Sequence, residues 1–199
     1  MRGRVTTHPT LISALWPTGR QAEVLRWILL VVGGSLLMTA SAKIQVPFWP
    51  VPMTMQTFAA LVIGAAFGPR LGFAAVAFYL LQGAVGLPVF AGGPEKGIGL
   101  AYLAGPTGGY LIGCALAAWV VGTLARRGWD RTLGRSVAAF LIGDVVLFTC
   151  GMTWLGMLIG ADKVLAAGLL PFLPGEVLKI ALAAVLLPAA WRLIRTRRD

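Results

Sequence analysis

Six apolar runs, at residues 24–42, 53–67, 71–85, 107–124, 136–159 and 174–194, are separated only by short polar or proline-bearing connections. A bilayer core offers no water to backbone N–H and C=O groups, so a chain of such runs satisfies them internally, as helices. The charge content agrees. Only 12% of the residues are charged, against about 25% in an ordinary soluble domain, and the mean hydropathy is +0.83. The period-2 alternation of an outer-membrane barrel is absent. The expected fold is therefore all-α: a polytopic membrane protein of six transmembrane helices. Residues 1–23 form a basic tail, 24–194 a single membrane domain, and 195–199 a second basic tail.

A net charge of +10 would point to nucleic acid in a soluble protein. Here the basic residues sit in gaps and tails, which makes the lipid bilayer their partner and excludes nucleic acid. All thirteen arginines fall in or beside the N-tail, the 2–3 turn, the 4–5 connection and the C-tail. The four lysines, Lys43, Lys96, Lys163 and Lys179, fall in or beside the opposite connections. The positive-inside rule then places both termini in the cytoplasm and turns the longer 1–2, 3–4 and 5–6 connections outward. A bacterial cytoplasmic (inner) membrane is the expected location. The first 23 residues lack a short apolar stretch followed by a cleavage site, so they read as a cytoplasmic tail with a solvated His8. Cys114 and Cys150 lie within spans without metal-ligand spacing and read as small packing residues.

The interruptions carry the functional signal. Residues 83–113 hold three helix-stopping prolines, Pro88, Pro94 and Pro106. They also hold Leu87, Val89, Phe90, Tyr102 and Leu103, a composition that argues against disorder. Non-helical backbone at membrane depth is tolerated where it is buried or lines a cavity, so this stretch is expected to close over a small-molecule site. Residues 43–56 begin as an extended loop through Pro47, Pro50 and Pro52, with Phe48 and Trp49 suited to the membrane interface. Gly68-Pro69-Arg70 reads as a tight turn. Gly105, Gly109, Gly113 and Ala117 recur every four residues, a seam for close helix contact. Ser35, Thr39 and Ala42 put small groups along one face of the first span, for another protein's helix or for this chain's own.

Charges at membrane depth are costly, on the order of 2.5–3.5 kcal/mol on insertion scales. Glu176 and Lys179 lie three residues apart in PGEVLK and share a helix face. They either face a cavity as cation and acceptor, or Glu176 complements the helix dipole behind Pro174 while Lys179 snorkels outward. Asp144, on too short a stem to snorkel, is expected to face the bundle interior, to bond helix backbone, to bind ligand or to relay protons. GxxxxGK[ST], HExxH, a cysteine cluster and GxSxG are all missing, and the single histidine is in a tail. Binding and release, without cofactor, metal or catalytic residue, is the expected chemistry. A small membrane enzyme is the less well supported class.

PVPMTMQTF (50–58), GLPVFAGG (86–93), GPTGGYLIG (105–113) and PGEVLK (174–179), in that order, resemble the signature blocks of the BioY family. The resemblance covers about residues 42–179. It implies a six-helix protein that holds biotin near its outer face as the substrate-binding component of an energy-coupling-factor (ECF) transporter. Implied partners are a transmembrane coupling subunit and a pair of ABC-type ATPases, with the 1–2 loop as a lid. The family's acidic–Lys pair maps onto Glu176 and Lys179, where the family often has Asp in place of Glu176, and Asn in place of Asp144. Its partner-docking alanines correspond to Ser35, Thr39 and Ala42. Biotin's ureido group, thiophane ring and carboxylate would meet Gln56, Glu176, Lys179, Asp144 and the backbone amides of Gly92 and Gly93, between walls of Phe90, Tyr102 and Trp49. The two glycines read equally as turn positions. A vitamin carrier independent of ATPases, proton-coupled through Asp144, is the alternative within transport.

Overall fold

The computed structural model describes residues 8–16, 23–47, 49–92 and 97–196. Helices in chain order are α1 (Leu11–Leu15), α2 (Glu23–Lys43), α3 (Gln56–Phe67), α4 (Pro69–Ala84), α5 (Leu100–Ala104), α6 (Gly108–Ala125), α7 (Leu133–Ile159), α8 (Ala161–Gly168) and α9 (Leu173–Thr196). A 3₁₀ turn covers Trp129–Arg131, and two short strands, β1 (Gln45–Val46) and β2 (Met53–Thr54), lie between α2 and α3.

Four of these helices are long and apolar enough to cross a bilayer: α2, α6, α7 and α9 over Leu173–Ile194. The second and third expected spans fall short of that length. α3 has 12 residues and α4 has 16, or about 18 and 24 Å at 1.5 Å per residue, against a hydrocarbon core of about 30 Å. Gly68 joins them with φ 85°, and Pro69 opens α4 at a position where its missing N–H costs nothing. The turn is thus shorter than GPR, because Arg70 already belongs to α4.

α6 is the centre of the bundle, with twelve of its 18 residues buried. It packs against α3, α4 and α7. Gly109 and Gly113 form the expected seam: a Cβ at Gly109 would lie 2.7 Å from Cys150 O, and one at Gly113 would lie 2.7 Å from Leu147 O. Ala117 is fully buried on the same helix. Gly105 does not belong to the seam; it caps α5, and its carbonyl accepts from Trp154 Nε1 at 2.9 Å.

The first span corrects an expectation. Ser35 and Ala42 are fully buried, and Ser35 Oγ donates to Gln82 Oε1 on α4. Thr39 bonds back to Ser35 O at 3.0 Å, within its own helix. Ser35 and Ala42 therefore serve this chain's own packing and are not presented to a partner. The outward face of α2 is instead formed by Val32, Gly33, Leu36, Leu37 and Ala40.

Polar connections are more structured than loops. β1 and β2 pair antiparallel, Gln45 with Thr54 and Val46 with Met53, so the proline-rich loop is the tip of a hairpin. Trp49 on that tip is 81% exposed and lines none of the cavities described below. Within 83–113, α5 interrupts the turns, and Lys43 Nζ holds Phe90 O at 2.7 Å. The described N-tail residues pack on the bundle: Thr10 caps α1, and His8 N donates to Arg126 O at 2.8 Å. The described arginines all lie at this end of the bundle, and Lys43, Lys163 and Lys179 lie at the other.

Candidate functional site

At the lysine end, α9 brings Glu176 and Lys179 together at 2.8 Å. Glu176 is buried, 4% exposed. Its carboxylate does not cap the amides of α9. Thr57 Oγ1 donates to it, lying 3.1 Å from Oε1 and 3.0 Å from Oε2. Lys179 Nζ uses its three donors on Glu176 Oε1, Thr57 Oγ1 at 2.9 Å and Thr54 O at 2.5 Å. The lysine thus points inward, which rules out the snorkelling alternative. Burying such a pair gains little stability, because desolvation offsets the attraction. Its presence among apolar spans therefore points to a use other than folding.

The network continues through β2 into α3. Thr54 Oγ1 donates to Gln56 Oε1 at 3.1 Å, Gln56 Nε2 donates to Tyr79 OH at 2.7 Å, and Tyr79 OH donates to Val89 O at 3.3 Å. One chain of hydrogen bonds therefore links α9, the hairpin, α3, α4 and the 86–92 turn.

The pair forms part of a wall between two cavities. The inner one, about 30 Å³, is lined by Thr54, Gln56, Thr57, Glu176 and Lys179 on its polar side, and by Tyr110, Phe148 and Phe172 among others on its apolar side. The outer one, about 240 Å³, lies under the hairpin between Ile44, Met53 and Gly175, and shares Thr54, Phe172, Glu176 and Lys179 with the inner one. The three aromatic rings pack on one another, Tyr110 against Phe148 at 5.8 Å and Phe148 against Phe172 at 6.1 Å. Tyr110 OH, donating to Gly168 O at 2.7 Å, ties α8 to this cluster.

The other expected residues divide. Phe90, Gly92 and Tyr102 line a separate cavity of about 110 Å³ built by the central turns. Phe90 stacks on Tyr102 at 4.8 Å and meets Tyr79 edge-on at 5.4 Å, so Tyr79 stands between this cavity and Gln56. Asp144 is 7% exposed and faces the interior as expected. It lines none of these cavities, and its Oδ1 is buried with no hydrogen-bond partner among the described residues. It lies one turn before Leu147 and Phe148, which line the inner cavity. Gly93, with Phe48, Pro94 and Lys96, lies outside the described residues.

Sequence reasoning missed Thr54, Thr57, Tyr79, Tyr110, Phe148 and Phe172. The tyrosines were findable. A phenol within an apolar span needs a hydrogen-bond partner, and Tyr79 and Tyr110 are such residues. Phe148 and Phe172 carry no comparable mark.

Residues 13–196 match the BioY family. The probable biotin transporter BioY of Pyrococcus horikoshii is 35% identical over 153 residues, which cover 75% of this chain and 86% of the relative. The biotin transporter BioY of Rhizobium etli is 39% identical over 151 residues, 72% of this chain and 79% of the relative. In fold, the chain is similar to the crystal structure at 2.1 Å of the S-component for biotin from an ECF-type ABC transporter. That likeness has a TM-score of 0.70 and 22% identity, and covers 92% of this chain and 96% of that one. The four ordered blocks and the extent of these matches agree: the chain belongs to the BioY family.

Proposed function

We propose that this protein captures biotin and serves as the substrate-binding subunit of an ECF-type, ATP-driven importer. The observation that carries the reading is the buried Glu176–Lys179–Thr57 cluster, which lines both the inner and the outer cavity. It offers a cation, a carboxylate and hydroxyls beside Tyr110, Phe148 and Phe172, the mixture that a ligand with a ureido group, a carboxylate and an apolar ring requires. The relatives named biotin transporters support the choice of ligand.

The inner cavity of about 30 Å³ is far smaller than a typical ligand site of roughly 300–1,000 Å³. Entry therefore requires the Lys179 Nζ–Thr54 O contact to part, so that the hairpin lifts from α9 and the two cavities merge. Lys179 and Glu176 then exchange bonds to each other and to Thr54 for bonds to biotin. The chain has no nucleotide-binding loop, so the energy for release would come from ATPase partners.

The expected result is one-to-one binding of biotin to the purified protein without ATP, with uptake in cells that depends on the coupling subunit and the ATPases. Failure to bind biotin overturns the ligand. Asp144 Oδ1, buried without a partner among the described residues, favours one rival, a proton-coupled carrier that needs no ATPases. ATP-dependent uptake that survives Asp144→Asn excludes it.

The orientation follows from the charges. Arg126, Arg127 and Arg131 at one end and Lys163 and Lys179 at the other support, by the positive-inside rule, a site outside and both termini in the cytoplasm. Six crossings, with α3 and α4 as the short pair, accommodate this. An impermeant thiol reagent added to intact cells is expected to label Lys163→Cys and to spare Arg127→Cys. The reverse pattern turns the topology over.

A further inference from the structure

At the end of the bundle away from the Glu176–Lys179 pair, a cleft of about 180 Å³ opens where α2, α3, α4 and α6 meet residues 10–12. Arg26, Arg70 and Arg126 line it, with Thr10, Trp27 and Phe67. The three arginines come from the first turn of α2, the first turn of α4 and the residue that follows α6. Arg26 Nη1 donates to Trp16 O at 2.7 Å, so one edge of its fork is fixed. The Arg70 and Arg126 side chains make no hydrogen bond, and none of the three arginines pairs with a carboxylate, among the described residues.

Three guanidinium groups around one cleft repel one another, and no carboxylate among the described residues forms an ion pair with any of them. An anion would offset that repulsion. Arginine forks match the paired oxygens of a phosphate better than a point charge does. The surroundings select the kind of phosphate. Trp16 and Trp27 are 41% and 45% exposed beside the cleft, the position that amphipathic rings take at a membrane–water interface. Phe73, one turn deeper than Arg70, is exposed on α4. With Trp27, which lines the cleft, it gives the start of an apolar track on the outside of the bundle. A soluble phosphate has no use for such a track; acyl chains do.

We infer that this cleft binds the phosphodiester headgroup of an anionic phospholipid. Arg70 and Arg126 grip the phosphate, Arg26 holds one side of the cleft through its tie to Trp16, and the acyl chains run past Trp27 and Phe73. A basic pocket between helix ends is the setting in which such headgroups are held.

The test is equilibrium lipid binding to the detergent-solubilised full chain, with phosphatidylglycerol titrated against phosphatidylcholine and bound lipid read by native mass spectrometry. The protein is expected to prefer phosphatidylglycerol about tenfold, and Arg70→Gln/Arg126→Gln to bring the two lipids near parity. Arg26 is left in place, since removing it would also release α1. Arg127→Gln/Arg192→Gln, at the same end but outside the cleft, is expected to keep the preference. Equal loss in both double variants means diffuse surface charge and overturns the site. Binding of soluble glycerol phosphate as tight as that of phosphatidylglycerol overturns the lipid assignment. Should the double variant fail to fold, Arg70→Gln alone, at an exposed position, is expected to lose roughly threefold in preference, and no change there overturns the proposal.

Discussion

Alanine at position 179 is expected to lower biotin affinity about tenfold or more, and alanine at 176 to do the same, since each removes a charge-assisted hydrogen bond. The two losses differ in kind. Lys179→Ala strips Glu176 of its cation and leaves a carboxylate only 4% exposed with Thr57 as its partner. Breaking a buried pair this way costs about 3–5 kcal/mol, and the 12% exposure of the lysine side chain argues for the low end. It also frees Thr54 O, and with it the hairpin. Glu176→Ala leaves a lysine that can still turn toward water. Lost stability could therefore be mistaken for lost recognition.

The double variant Glu176→Gln/Lys179→Met separates them. Replacing both members of a buried pair by neutral groups of similar size is often neutral or stabilising. If the pair recognises biotin, the double variant is expected to recover its thermal stability and still to bind at least about tenfold more weakly than the wild type. Equilibrium binding and Tm on the same purified samples read both quantities. Recovery of affinity together with stability returns Glu176 and Lys179 to a structural role.

That experiment rests on residues legible in the sequence. Glu176 and Lys179 stand out because charge is rare and costly in an apolar span, and Asp144 because its stem is too short to reach water. What the charges touch was not legible. Thr54 and Thr57 sit in PMTMQT as unremarkable polar residues, and only the β1–β2 register sets the Thr54 carbonyl over Lys179. Residues 83–113 read as a stretch that closes over a small-molecule site, yet their Phe90 and Tyr102 line a cavity of their own. Nothing in sequence spacing shows that Tyr79 stands between them and Gln56. The Ser35–Thr39–Ala42 face illustrates the remaining ambiguity: small residues in a membrane helix mark close approach, but not of what. Gln82, forty-seven positions later, decides that. α8 escaped notice because an eight-residue helix between two spans has too little periodicity to be distinguished from a loop.

Close approach also yields the second large effect. Gly64→Ala is expected to destabilise the protein by about 3 kcal/mol and to lower Tm by roughly 10 °C. A Cβ at Gly64 would lie 2.4 Å from Ala118 O and 2.7 Å from Ala118 Cα, both backbone atoms of α6. On its other side, Gly72 of α4 packs so closely that a Cβ there would reach Gly64 Cα at 2.9 Å. Position 64 is thus where α3, α4 and α6 converge. No side chain can rotate away to make room, because the obstructing atoms belong to the main chain. The added methyl must push α3 off α6, and that shift reaches Gln56 and Thr57 two turns away, on the same helix as the site. Gly33→Ala supplies the contrast. A Cβ at Gly33, on α2, would meet nothing within 4 Å, so alanine there is expected to leave Tm unchanged or raise it slightly, given its better helix propensity by about 1 kcal/mol. Thermal unfolding in one detergent, with and without biotin, compares the two. If Gly64→Ala melts with the wild type, the three helices do not meet as closely as their glycines allow. If it melts early and biotin restores it, ligand binding draws α3 back onto α6, and the packing of this node and the occupancy of the site are one equilibrium.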